Sequence, residues 1–151
     1  LIVIALALGL MAIVRMGQVE VESTMLANEY VPEVRVANEL RGAANRVMYE
    51  MRGYGYTEED KFYQDAVKEM ASVEAALEDA RKLEAASPNL KLLKGQIEEA
   101  AKVYTEYKSV AQQTRDLSAK LAQERDIMNK AAGEYMTQAN QFLASQNEAL
   151  E

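Results

Sequence analysis

The sequence predicts an all-α fold of long helices, and three observations carry the prediction. Apolar residues recur every three or four positions along most of the chain, which is the helical period. Gly numbers 7 and Pro only 2 among 151 residues, too few for a turn-rich β architecture. The regular pattern is interrupted at only two places after the N-terminal apolar run, Gly53-Tyr54-Gly55-Tyr56 and Ser87-Pro88-Asn89.

The first element is Leu1 to Val14, LIVIALALGLMAIV, with no charged or polar side chain. As a helix it covers about 21 Å, against about 30 Å for a bilayer core. Residues 1–16 are read as a transmembrane helix shortened at its start, because the sequence opens on Leu1 and closes at Glu151 inside a polar helical stretch, as a piece of a longer protein would. A signal-peptide core is the competing reading. Arg15 is the only basic residue before Arg35, a weak cytoplasmic signal, so residues 17–151 are expected outside the cytoplasmic membrane.

A first helix follows over 17–55. Pro32 should kink or restart it, and Val36, Leu40, Ala43, Val47, Met51 and Tyr54 form one stripe along it. Thr57 is a good N-cap for a second helix over 58–86, and Glu58-Glu59-Asp60 suits the positive end of its dipole. Its stripe is Phe62, Tyr63, Ala66, Met70, Val73, Leu77 and Ala80. Ser87 can then cap, and Pro88 open, a third helix. There Leu93, Ile97, Ala100, Tyr104, Tyr107, Ala111, Thr114, Ser118, Leu121, Arg125, Met128, Ala132, Tyr135, Ala139 and Phe142 follow a heptad.

Lengths suggest the topology. The first two helices end to end reach about 100 Å, and a third helix over 89–151 reaches about 94 Å. The third would then run beside both. That makes half of two stacked four-helix modules. A folded-back hairpin of three helices is the alternative.

Composition removes several functions. Cys and His are both 0, which excludes disulfides, Cys/His zinc sites, thiol nucleophiles and His bases. The chain carries 17 basic and 24 acidic residues, net −7, which argues against nucleic acid. No nucleophile–base set or metal set is present, so no catalytic residue, metal or cofactor is expected.

The candidate binding residues are arginines. Arg125 falls on the heptad stripe, where a buried guanidinium needs a partner and suits a carboxylate. By helix rise it is level with Arg41 and Arg46, which lie about 130° and about 100° from the first-helix stripe. Arg46 is the better partner, with Arg35 three turns below it a third helix-one candidate. Each of these has a plainer reading as a solvated flank or an ion-pair member. Arg52 and Arg115 suit the capping of helix carbonyls beside the first break. Tyr104 and Tyr107, expected opposite Tyr63, read as core aromatics that could also line a pocket.

The membrane segment, Ala37-Asn38-Glu39-Leu40-Arg41 and Arg52-Gly53-Tyr54-Gly55-Tyr56-Thr57-Glu58-Glu59-Asp60 together resemble the helical bimodular sensor domain of bacterial methyl-accepting chemotaxis receptors, and the stretch from Arg52 to Thr57 also resembles the related CHASE3 sensor domain. The resemblance implies two stacked four-helix bundles in a periplasmic homodimer. It also implies a small ligand, often an organic acid, and a cytoplasmic kinase and adaptor reached through an output domain. A sensor histidine kinase input domain, and a periplasmic coiled-coil scaffold without ligand, are the alternative functions.

Overall fold

The computed structural model describes residues 2–148. The elements are α1 (Ile2–Met25), a π-helical turn (Leu26–Tyr30), α2 (Val31–Thr57), α3 (Asp60–Ala86) and α4 (Leu93–Glu148). Only 58–59 and 87–92 are non-helical among the described residues, and no strand occurs among them. The all-α prediction holds. The chain divides into two units, Leu1–Lys108 and Ser109–Glu151. Position 16/17 falls inside α1.

In the first unit, the described apolar side chains of α1, Leu6, Leu8, Leu10 and Ile13 among them, are largely in solvent. The expected transmembrane helix over 1–16 is not found: among the described residues no helix is long and apolar enough to cross a membrane.

Pro32 acts where expected, but without ending the helical run. Its ring would clash with the carbonyl four residues earlier. The backbone widens just before it into the π turn, where the N–H of Val31 donates to the carbonyl of Leu26.

Helices α2 and α3 pack side by side and antiparallel. The Tyr54 and Tyr63 rings meet at 5.5 Å near the turn, Arg46 reaches Glu69 further along, and Glu29 reaches Asn89 at the far end. The end-to-end arrangement of the first two helices, and with it the stacked modules inferred from length, is thereby corrected to the folded-back form. The physical reason lies in the two stripes. Val36, Ala43, Val47, Met51 and Tyr54 on α2 are buried, as are Ala66, Met70, Val73, Ala76, Leu77 and Ala80 on α3. Side by side, these two faces exclude water from each other.

The reversal needs only two residues. Glu58 takes the left-handed conformation, φ 58°, and its N–H donates to the Tyr54 carbonyl at 2.8 Å. Thr57 closes α2 rather than capping α3. Its hydroxyl donates to the Gly53 carbonyl at 3.0 Å and accepts from the Glu59 N–H at 3.2 Å. Gly53 is required sterically, since a Cβ there would lie 2.6 Å from Phe62 Cδ1.

The α3–α4 connection is longer than expected. Turns occupy 88–92, so α4 opens at Leu93 instead of Pro88. The backbone N–H and Nδ2 of Asn89 both donate to the Glu29 carboxylate, at 3.2 and 2.8 Å, tying this loop to the π turn. Ser87 is buried and its hydroxyl has no hydrogen-bond partner, so it does not cap α4.

The second unit is helical through Glu148. Its large apolar side chains, among them Leu121, Met128, Tyr135 and Phe142 seven residues apart, stand in solvent.

Candidate functional site

The first unit contains an apolar groove of about 490 Å³ between α2 and the beginning of α4, floored by α3. Helix α2 contributes Leu40, Ala44, Val47 and Met48, α3 contributes Val73, and α4 contributes Gln96, Glu99, Ala100, Val103, Tyr104 and Tyr107. The spacings are helical. Positions 40, 44, 47 and 48 fall on one face of α2, and 96, 99, 100, 103, 104 and 107 on one face of α4. A narrower cleft of about 100 Å³ shares Leu40, Gln96 and Ala100 with the groove and extends it toward Glu33 and Leu93. The volume and apolar lining with few polar groups are those of small-molecule sites.

Among the described residues, Glu99 is the only charged one in the groove lining, and no Lys or Arg belongs to it. Tyr104 is fixed in place. Its hydroxyl lies 2.8 Å from the Glu74 carboxylate and 3.1 Å from the Met70 carbonyl. Burial first, and Glu74 second, hold its phenol well above the ordinary range. Lys108 donates to the same Glu74 oxygen at 2.7 Å and stands 6.0 Å from the Tyr104 ring centre. The hydrogen bonds from Lys108 and then Tyr104 draw the Glu74 carboxyl below its ordinary value. Burial raises the Tyr107 phenol, and the nearby Arg52 charge partly offsets this. Tyr104 thus packs on α3 beside Glu74 and Met70, and the Tyr63 ring meets that of Tyr54.

The predicted arginines lie elsewhere. Arg46 donates Nε to Glu69 on α3 at 2.7 Å. It borders a separate, more polar cleft of about 360 Å³ that also holds Glu39 and Asp79. Arg35 pairs with Glu39 at 2.9 Å, and Arg41 donates to Asn38 at 2.9 Å. Arg125 is exposed on the helix of the second unit. The height matching that paired it with Arg46 presupposed α2 and α3 end to end, which they are not.

Sequence reasoning offered Tyr104 and Tyr107 as possible pocket residues, and it missed the α2 wall of the groove for a definable reason. It treated the α2 stripe as one seam. Leu40, Ala44 and Met48 form a second apolar row beside the buried one, and an apolar arc that wide serves two contacts. Among the described residues, no group of three or more acidic, His or Cys side chains is arranged to hold a metal ion. Compared with family models, with curated proteins and with solved structures, the chain matches none.

Proposed function

We propose that this chain is the extracytoplasmic sensing part of a membrane-anchored, homodimeric receptor of the bacterial chemotaxis-transducer kind, and that the groove between α2 and α4 is its ligand site. The observation that carries the proposal is the groove itself: about 490 Å³, apolar, with two tyrosines and one carboxylate at its edge. Two further features support it. The described side chains in the first half of α1, Leu6, Leu8, Leu10 and Ile13 among them, are apolar and exposed. From α1 the chain passes through the π turn into α2 without leaving a helical conformation. A ligand that draws α2 and α4 together therefore displaces the helix that leads to the bilayer, and it favours whichever of two helix positions it binds more tightly.

The test is a thermal-stability screen of the full chain in lipid nanodiscs against small apolar, acidic and basic compounds. At least one compound is expected to raise the midpoint, and Ala44→Trp, which fills the groove, is expected to abolish that rise. If no compound stabilises the protein, or if Ala44→Trp leaves the response intact, the proposal fails.

The exposed heptad of the second unit favours a second reading, a coiled-coil structural element without a ligand. Under that reading the stability midpoint depends on protein concentration and on no small molecule.

A further inference from the structure

We infer that the α2–α4 groove is built for an amphiphilic cation, a small apolar body carrying an ammonium group, and not for the carboxylate that the family resemblance implies. The inference rests on the groove being the ligand site. It arises from the charges around that site.

At one end, Glu99 and Gln96 border the groove. One presents a carboxylate and the other an amide oxygen, both acceptors for an ammonium donor. Along the α4 wall the lining continues through Val103 to Tyr104 and Tyr107, about 8 and about 12 Å from Glu99 by helix rise. Tyrosine rings there offer apolar surface to the body of the ligand. The Tyr104 ring already has the Lys108 ammonium 6.0 Å from its centre.

The cations near the groove do not suit an anion. Lys108 is bound to Glu74 at 2.7 Å, and Arg46 to Glu69 at 2.7 Å on the α2–α3 side. Arg52 acts on Tyr107, at the end away from Glu99. A carboxylate in the groove would lose water and meet Glu99, whereas an ammonium group would meet an opposite charge at a half-open rim. The head therefore sits at Gln96 and Glu99, and the apolar body lies along Leu40, Val103 and Tyr104.

Three probes of one shape test this: 4-phenylbutylamine, 4-phenylbutanol and 4-phenylbutyrate, titrated calorimetrically into the full chain in nanodiscs at neutral pH, with empty nanodiscs subtracted. The amine is expected to bind about tenfold more tightly than the alcohol, as a partly exposed charge pair allows, and the carboxylate more weakly than both. Glu99→Gln is expected to remove the advantage of the amine and leave the alcohol unchanged, with the helical circular dichroism spectrum intact. A carboxylate that binds more tightly than the amine, with all three probes lost in Ala44→Trp, overturns the cation assignment and leaves the groove as the ligand site. An amine preference that survives Glu99→Gln also overturns it. Amine binding that survives Ala44→Trp, or no binding by any probe, overturns the groove reading as well.

Discussion

The α2–α3 hairpin and residues 109–148 of α4 use the same apolar period, yet their side chains end in opposite environments. On α2, Tyr54 is 1% exposed, while Tyr135 in the second unit is 71% exposed. Both tyrosines lie on stripes of helical spacing that also carry Ala and Met. The difference comes from the partner, not from the pattern. A stripe states that a helix has a face to cover, and it leaves open what covers that face.

The largest effect that would break or sharpen this contrast is the removal of the two rings. Tyr54→Ala should destabilise the chain by about 3–5 kcal/mol, as deletion of a buried aromatic does. Tyr135→Ala should stay within about 0.5 kcal/mol. Chemical denaturation of both variants measures the two costs, and equal costs would mean that the second-unit stripe is also covered.

A second comparison uses glycines. A Cβ at Gly53 meets the Phe62 ring at 2.6 Å, whereas nothing lies within 4 Å of one at Gly55 or Gly133. Gly53→Ala should cost about 1–3 kcal/mol through overpacking. Gly55→Ala and Gly133→Ala should each stabilise by up to about 1 kcal/mol through helix propensity. Thermal melts of the three variants check the signs.

Glu58 gives a smaller effect. It holds φ 58° with a side chain that disfavours it. Glu58→Gly should therefore raise stability by about 0.5–1 kcal/mol, visible as a higher urea midpoint.

The smallest expected effect is the pH dependence of the Glu74 cluster. The Glu74 carboxyl is held below its ordinary value of 4.5. A carboxyl depressed in the folded state contributes stability that is fully present above its unfolded value and is lost as pH falls through the folded one. Stability should therefore decline below about pH 4.5 partly through this group. The part due to Glu74 should vanish in Glu74→Gln, as acid-titrated melts of the two proteins would reveal.

Much of the helical content was legible in the residues, because the period of Val36, Ala43, Val47 and Met51 is local. The two breaks were legible as well, through Gly53–Tyr56 and Ser87–Asn89. The path of the chain after the first break was not. It depends on Glu58 entering a left-handed conformation that its side chain does not announce, and on two stripes preferring each other to open water. The site was less legible than the fold. Arg46 looked like a ligand group because its partner Glu69 lies on the returning helix, 23 residues away in sequence. The groove is formed by residues from α2, α3 and α4, and it is visible only once the return path is known.

The central claim, that the chain folds back so that α2 and the start of α4 enclose a groove, is most directly tested by one distance. Spin labels at Glu39 and Lys94, both exposed, report it without disturbing the core. Leu40 and Gln96 border the same groove, so the account predicts helices that face each other across it and a label separation of about two helix diameters, ~20–25 Å. A separation near 65 Å, the rise of the rest of α2 and all of α3 laid end to end, would contradict it.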